Sequence, residues 1–432
     1  MRLEMGSFSV RDIELSNRTR YTEGILTVDR EELRRLLLGG GEFADVAVEV
    51  ARSGEAVRII HVMDAVEPRY KVDGRSSFPG VVGPRRTAGD GRTHRLAGMA
   101  VVAVGEAVAG EPTYWREAII DMVGPGAAAT PFGATINLVL DFQPASEYLD
   151  ADRPEAVVEN LMIGSGLAQR YNRAVRVAEL KAATYLARAT AALEPDELAV
   201  YETAPIDGSL PRVVYFFQVD GLVIYGDSCN GILPSLIHPN EILDGALVNV
   251  VSNSHAAYRY STFFNQNHGL VQELYAHHGQ DLEFAGVIVY PAAADDMDKK
   301  QMVAECAVKL ATRLGAHGVC SSYLGGGHPA VEFMLICQKC EQAGLKTVQV
   351  MPESYGGPED PGFVYFVPEA VGIVSTGRCT ERIELPAMPR VLGGQSFFDL
   401  QNAPAGPLSG TYRHLFGSCT STGTGRVTAR QR

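Results

Sequence analysis

The sequence predicts an α/β protein, with a β-rich N-terminal domain followed by a parallel, Rossmann-like α/β domain. Two observations lead to this class. Before residue 145, short β-branched runs alternate with turn residues, which is typical of strands. The last third alternates apolar runs with amphipathic segments, as expected for parallel strands joined by crossover helices. A chain of 432 residues is also long enough for more than one domain.

The N-terminal part contains one predicted helix among several strands. Strands are predicted at residues 46–50, 57–62, 100–104 and 136–142. The helix covers residues 29–38, because Asp29 is a suitable N-cap and three glycines follow from Gly39. A long helical segment is predicted next, over residues 155–193, where Ala and Leu recur at three- and four-residue spacing before Pro195. Strands at 212–219 and 222–225 follow it.

The C-terminal part carries the parallel α/β pattern. Residues 284–290 form a continuous apolar run, as in a strand buried on both faces. The predicted order continues with helix 298–314, strand 318–321, helix 329–343 and strands 347–351 and 372–375. We therefore divide the chain into a β-rich domain (1–150), a helical and α/β middle segment (151–252), a parallel α/β domain (253–395) and a Gly/Ser/Thr-rich tail (396–432). The tail either covers a site or is mobile.

Composition excludes several classes of partner. The net charge of −13 argues against a nucleic-acid surface, which needs clustered Lys and Arg. Seven scattered cysteines without a disulfide framework indicate a reduced, cytoplasmic protein. We expect no signal peptide and no membrane span, since the apolar stretches are interrupted by glycine and charge. No metal site is predicted, because Cys337 and Cys340 lie mid-helix without further ligands nearby in sequence.

Two turn-rich loops are candidates for binding an anion. One is built around Asp121, which leads into a run of prolines and glycines. The other places Arg92 and His94 beside flexible glycines at residues 89–91. Constrained loops of this kind can direct backbone N–H groups at an anion. We therefore name Arg92, His94 and Asp121 as substrate-binding candidates, with tight structural turns as the alternative.

The most unusual stretch is residues 250–255, which ends in Ser252, Asn253, Ser254 and His255. A serine beside an amide and an imidazole has the groups needed for backbone self-cleavage. The hydroxyl attacks the preceding carbonyl to give an ester, and β-elimination then cleaves the chain and leaves dehydroalanine. Hydrolysis of the dehydroalanine yields an N-terminal pyruvoyl group, an electron sink able to form a Schiff base with an amine. A Ser- and Asn-rich turn is the alternative explanation.

Segments in the same order along most of the chain resemble the component B proproteins of glycine, sarcosine, betaine and D-proline reductases. In the N-terminal block they are residues 1–6, 48–59, Glu67-Pro68-Arg69, 78–80, 91–94, 119–126 and 130–132. Later they are Tyr201-Glu202-Thr203, His238-Pro239-Asn240-Glu241, Asp244-Gly245-Ala246, Gln266-Asn267, 274–279, 385–388 and 427–429.

This resemblance implies a substrate-activating subunit that cleaves itself before a cysteine, and the cysteine then becomes a pyruvoyl cofactor. The substrate amine is captured there, and a selenocysteine or cysteine of a partner subunit cleaves the C–N bond reductively. A selenoprotein- or cysteine-type partner, a hetero-oligomer and a small amino acid or amine substrate are therefore expected.

This sequence departs from the family pattern at the cleavage point. No cysteine lies between Cys229 and Cys306. An ungapped count from Gly245 puts Ser252 at the processing position, whereas matching the family Asn-Cys pair selects Asn253-Ser254. Ser252 or Ser254 is thus the predicted pyruvoyl precursor, assisted by Asn253 and His255. The alternatives are an unprocessed, non-catalytic scaffold subunit and a divergent enzyme that uses a metal or the Cys229 thiol.

Overall fold

We describe the fold from a computed structural model of the chain. The structure describes residues 1–112, 117–157, 165–203, 208–219, 221–229, 231–249, 260–292, 296–323, 327–353, 365–398, 400–423 and 428–429. Ser252, Asn253, Ser254 and His255 lie outside these ranges.

Strands and helices are numbered in chain order. The first twelve strands are β1 (Arg2–Ser9), β2 (Asp12–Ser16), β3 (Arg20–Thr22), β4 (Ile25–Asp29), β5 (Phe43–Ala51), β6 (Val57–Ile59), β7 (Val62–Val66), β8 (Arg69–Lys71), β9 (Gly91–Ala97), β10 (Met99–Val104), β11 (Ile120–Asp121) and β12 (Ile136–Pro144). The others are β13 (Glu197–Glu202), β14 (Arg212–Val219), β15 (Leu222–Ile224), β16 (Asp227–Ser228), β17 (Ser235–Ile237), β18 (Leu247–Asn249), β19 (Glu283–Pro291), β20 (Gly318–Ser322), β21 (Lys346–Glu353), β22 (Ile373–Arg378), β23 (Arg382–Leu385), β24 (Arg390–Leu392), β25 (Leu408–Thr411) and β26 (Thr428–Ala429). The helices are α1 (Arg30–Leu38), α2 (Gly124–Ala128), α3 (Gly166–Ala187), α4 (Pro239–Leu243), α5 (Thr262–Gln266), α6 (Gly269–His277), α7 (Met297–Arg313) and α8 (Pro329–Gln342).

The largest sheet has seven strands in the order β17-β19-β14-β20-β21-β22-β26. Its five inner strands are parallel, and the two edge strands pair antiparallel. Helices α7 and α8 connect β19 to β20 and β20 to β21, and both pack on the sheet through buried faces. The mixed α/β class is therefore confirmed. In such sheets ligands bind outside the carboxyl ends of the parallel strands, which directs attention to that edge.

The N-terminal half contains two four-stranded sheets, in the orders β13-β1-β9-β8 and β5-β12-β10-β7. Helix α3 packs against both of them and buries a row of Ala, Leu and Tyr side chains. Strand pairs join the predicted domains: β1 pairs with β13, and β6 pairs with β24. The division into a β-rich and a Rossmann-like domain stays a prediction.

Local signals fix where several helices begin. The Asp29 side chain accepts from the Glu32 amide and caps α1, as predicted. Helix α3 is shorter than the predicted 155–193, because Ser165 caps it at its start and a 3₁₀ turn follows Ala187. The predicted strands and helices of residues 284–375 are confirmed to within a few residues.

Part of the Gly/Ser/Thr-rich tail is packed into the fold. Leu415, Phe416 and the residues from Ser418 to Thr422 are buried. The Ser421 hydroxyl donates to the Tyr323 carbonyl oxygen at 2.6 Å, and the Leu270 amide donates to the Thr422 carbonyl oxygen at 2.9 Å. This run therefore covers the carboxyl end of β20 and the start of α6. Within the described residues, none of the helices combines the length and the apolar character needed to cross a bilayer.

Candidate active site

Buried polar groups hold together the residues that flank positions 250–259. The Asn249 side-chain amide donates to the Tyr260 carbonyl oxygen at 3.2 Å, and the Asn249 backbone N–H donates to the Thr262 hydroxyl oxygen at 3.0 Å. Thr262 in turn donates to Asp64 through its N–H at 3.0 Å and through its hydroxyl at 2.7 Å. We call these four residues, Asn249, Tyr260, Thr262 and Asp64, the segment base. It holds the described residues on either side of positions 250–259 together.

Acidic groups and one arginine lie beneath the segment base. The Asp64 carboxylate is 3.9 Å from the Arg176 guanidinium, and the side chains of Asp64, Arg176 and Glu179 are all buried. Glu179, one helical turn from Arg176, accepts from the Ala103 amide at 3.2 Å. Burial raises the pKa of Asp64, and burial together with the neighbouring Asp64 charge raises the pKa of Glu179 well above its usual range. Burial therefore disfavours the charged form of both carboxyl groups.

A hydrogen-bonded chain of three side chains lies beside the segment base, towards the carboxyl end of the parallel sheet. The Tyr215 hydroxyl of β14 is 3.0 Å from His268 Nε2 and 2.5 Å from the Ser322 hydroxyl of β20. The Phe217 ring packs on Tyr215, on His268 and on Tyr260, which joins the chain to the segment base. Burial lowers the pKa of His268 to about 3, so the imidazole is neutral.

Two buried polar atoms at this place have no hydrogen-bond partner within the described part of the chain. They are the Ser261 hydroxyl oxygen, next to Tyr260, and His268 Nδ1. Buried polar groups are normally paired, so these two atoms are candidates for contact with water or with a ligand.

The structure joins several of the sequence motifs to one another. Asp244 accepts from the Thr93 hydroxyl at 2.6 Å and from the Gly89 amide at 2.7 Å, and it also pairs with Lys71. Another junction links Glu67 to Gln266, whose side chain bonds both the N–H and the carbonyl oxygen of Glu67. These contacts fix the N-terminal sheets against the chain on both sides of segment 250–259.

The three substrate-binding candidates each have an internal partner. Arg92 donates two bonds, of 2.8 and 2.9 Å, to one oxygen of Glu4. The His94 imidazole is buried beside the Thr190 carbonyl oxygen, 3.0 Å away, and burial lowers its pKa.

Asp121 is fully buried and binds Arg58 through both carboxylate oxygens, at 2.7 and 2.8 Å. The described structure does not bring Arg92, His94 or Asp121 into the segment base. Their role in binding substrate stays a prediction.

Sequence reasoning missed Asp64, Thr262, Tyr215 and His268. Asp64 and Thr262 are 198 positions apart, so no local pattern connects them. The nearest signal was the Gln266-Asn267 motif, which directly precedes His268.

Within the described residues, no three His, Cys, Asp or Glu side chains converge as metal ligands.

Comparison with known proteins gives consistent matches. The family model described as "Glycine/sarcosine/betaine reductase component B subunits" matches residues 1–418. The chain is 34% identical over 431 residues to "Glycine reductase complex component B subunits alpha and beta" of Acetoanaerobium sticklandii, covering 96% of this chain and 93% of that protein. It is 34% identical to the "Sarcosine reductase complex component B subunit alpha" of Peptoclostridium acidaminophilum, covering 91% and 89%. To the "Betaine reductase complex component B subunit alpha" of the same organism it is 33% identical, covering 91% and 88%. No solved structure matches this chain.

Proposed function

Because the chain belongs to the family of glycine/sarcosine/betaine reductase component B subunits, we propose that it is the substrate-activating subunit of such a reductase complex. The complex would cleave the C–N bond of a small amino acid or amine reductively, in the manner of the glycine, sarcosine, betaine or D-proline reductases. Its partner would be a selenoprotein- or cysteine-type subunit, which makes a hetero-oligomer. The proposed catalytic group is a pyruvoyl terminus derived from Ser252 or Ser254.

The observation that carries this proposal is the segment base. It holds Asn249 and Tyr260 against each other independently of the residues between them. A chain break within residues 250–259 would therefore leave Asn249 and Tyr260 bonded to each other. Thr262 and Asp64 anchor the C-terminal side, and β18 anchors the N-terminal side through its pairing with β15.

The fold also supports processing, because cleavage would not separate the two parts of the chain. Strand β14, before the segment, lies between β19 and β20, which come after it. Strand β6 pairs with β24 in the same way. The two fragments would share sheets and buried cores, so we expect them to dissociate only on unfolding.

A pyruvoyl group supplies a carbonyl that captures an amine and withdraws electrons from its carbon. The residues of this chain that would hold it are Ser261 and His268, whose buried hydroxyl and Nδ1 have no hydrogen-bond partner among the described residues. Tyr215 would fix the orientation of the His268 ring through Nε2. The buried, aromatic surroundings of Phe217 and Tyr260 would exclude water from the amine.

The competing proposal is an unprocessed scaffold subunit. It is favoured by one feature of the sequence, the lack of any cysteine between Cys229 and Cys306. Serine can replace cysteine in the first step, because its hydroxyl also attacks the preceding carbonyl, although it is the weaker nucleophile.

The two proposals are separated by trapping the carbonyl group. We would react the purified protein with hydroxylamine or phenylhydrazine, and compare the wild type with the Ser252→Ala and Ser254→Ala variants by peptide mass. The proposal predicts one modified N-terminal carbonyl in the wild type, which one of the two variants lacks and the other keeps. A wild type without any modified terminus would overturn the pyruvoyl proposal.

A further inference from the structure

Two of the seven cysteines meet in the fold. Cys379 and Cys419 are 0% and 2% exposed and form a small buried cluster, against which Tyr412 packs. The Cys379 thiol is hydrogen-bonded to that of Cys419. Forty positions of sequence separate them, so tertiary structure alone brings the two thiols into contact.

Both cysteines lie on well-anchored backbone. Cys379 directly follows β22, and its N–H donates to the carbonyl oxygen of Glu353 in β21 at 2.9 Å. The Arg413 amide donates to the Cys379 carbonyl oxygen at 3.0 Å, which ties the tail to the end of β22. On the tail, the Ser418 hydroxyl donates to the Tyr412 carbonyl oxygen at 2.6 Å and lies 3.6 Å from the Cys419 sulfur. A disulfide needs two backbones held close together, and this arrangement holds them.

The position of the pair relates it to the candidate active site. Cys419 belongs to the same buried run as Ser421 and Thr422, which bond to the Tyr323 carbonyl and to the Leu270 amide. Tyr323 follows Ser322, and Leu270 lies in the first turn of the helix that His268 precedes. A covalent bond at Cys419 would therefore fix the cover over the Tyr215–His268–Ser322 chain.

The other cysteines have different surroundings. Cys337 shares α8 with Cys340, but its sulfur lies 3.3 Å from the Thr347 hydroxyl. Cys229 is buried in an apolar cluster near β15. Cys306 lies on α7, partly exposed.

We propose that Cys379 and Cys419 form a redox-active dithiol that exchanges with low-molecular-weight thiol/disulfide couples and fixes the tail over the candidate active site when it is oxidised. In the oxidising direction, the two thiols lose two electrons and two protons and form one S–S bond. The reagent disulfide accepts both electrons and both protons, its own S–S bond breaks, and it leaves as thiols. This inference does not depend on processing at residues 250–259.

The same burial makes the exchange slow. It raises the pKa of the Cys379 thiol well above its usual range, so little thiolate is present at neutral pH. Attack also requires the tail to move, because both sulfurs are covered. The rate of exchange should therefore rise with pH and with any change that loosens residues 412–423.

The experiment equilibrates the full chain in buffers of reduced and oxidised dithiothreitol, and separately with glutathione disulfide, at pH 8.5. After quenching in acid, the protein is unfolded and alkylated with N-ethylmaleimide. Before alkylation, we expect the oxidised protein to be lighter by two hydrogens. After alkylation, five cysteines should carry the reagent, and one pair of peptides should be joined by a disulfide between Cys379 and Cys419. Reduced dithiothreitol should restore all seven free thiols.

Two variants make the test specific. Cys419→Ser should abolish the disulfide, whereas Cys306→Ser, a change of the same kind on a partly exposed helix, should leave it intact. The wild-type peptide map decides the question even if Cys419→Ser folds poorly. Full alkylation of Cys379 and Cys419 after oxidation, or a stable glutathione adduct on one of them, would overturn the proposal.

Discussion

Replacing Asp121 by Asn should destabilise the fold strongly, because Asp121 neutralises a buried arginine. All five N–H donors of Arg58 are used: two bind Asp121 and three bind the carbonyl oxygens of Pro386, Pro404 and Gly406. Both charged side chains are 0% exposed. Arg58 therefore joins β6 and β11 to the C-terminal part of the chain around residues 386–406.

The size of the effect follows from the burial of this pair. Asn keeps one acceptor oxygen but turns an NH₂ group towards the guanidinium, and it removes the countercharge. Breaking a buried ion pair from one side costs about 3–5 kcal/mol of the free energy of unfolding. The half-exposed pair of Arg390 and Glu49, at 2.9 Å with 40% and 41% exposure, offers a matched control. Glu49→Gln should cost about 0–1 kcal/mol, because solvent already screens that pair.

The assay is urea denaturation followed by circular dichroism, with limited proteolysis of residues 386–406 as a second measurement. Asp121→Asn should shift the midpoint far more than Glu49→Gln and should expose that region to protease. Equal midpoints for the two variants would refute the reasoning. Wild-type stability combined with a raised KM for the amine in the reconstituted complex would instead show that Asp121 contacts substrate.

Three further predictions concern groups near the candidate site. His268 has a pKa of about 3 when folded, against about 6.5 when unfolded, so the unfolded state binds an extra proton below pH 6.5 and stability falls as the pH drops. Between pH 7 and pH 5 the wild type should therefore lose about 2 kcal/mol more than His268→Gln, and equal losses in denaturation curves would contradict this. Tyr215→Phe keeps the ring packing but removes the hydroxyl that bonds Ser322 and His268 Nε2. Denaturation curves should show a loss of about 1–3 kcal/mol in the free energy of unfolding. An unchanged midpoint would argue against the hydrogen-bonded chain. Burial raises the pKa of Cys229 to about 12, so iodoacetamide at pH 8 should modify this thiol only after the protein unfolds. Rapid modification of the native protein would support the alternative that the chain is an enzyme using the Cys229 thiol.

The local elements were predictable because their signals lie in short stretches of sequence. Asp29 and the glycines from Gly39 define α1, and the prediction is confirmed almost to the residue. The C-terminal alternation of strands and helices was equally clear, since each parallel strand is a buried apolar run. The helix predicted at 155–193 was too long, because periodicity alone does not show where a cap such as Ser165 starts the helix.

Long-range pairing was not predictable. Strand β1 runs parallel to β9 and antiparallel to β13, and neither pairing leaves a mark on the sequence of β1. The candidate active site likewise depends on contacts between residues that are far apart in the sequence. The residue types of Ser252 and Ser254 alone led to the self-cleavage hypothesis. The fold was needed to connect Asp64 with Thr262, and Tyr215 through Phe217 with Tyr260.

The most direct test of the account is the mass of one purified sample, measured first under native and then under denaturing conditions, with the partner subunit co-expressed. We predict a single native particle that contains both parts of the chain, and two fragments under denaturing conditions that meet at Ser252 or Ser254. One intact chain of 46.5 kDa under denaturing conditions would contradict self-processing and leave the scaffold function in its place.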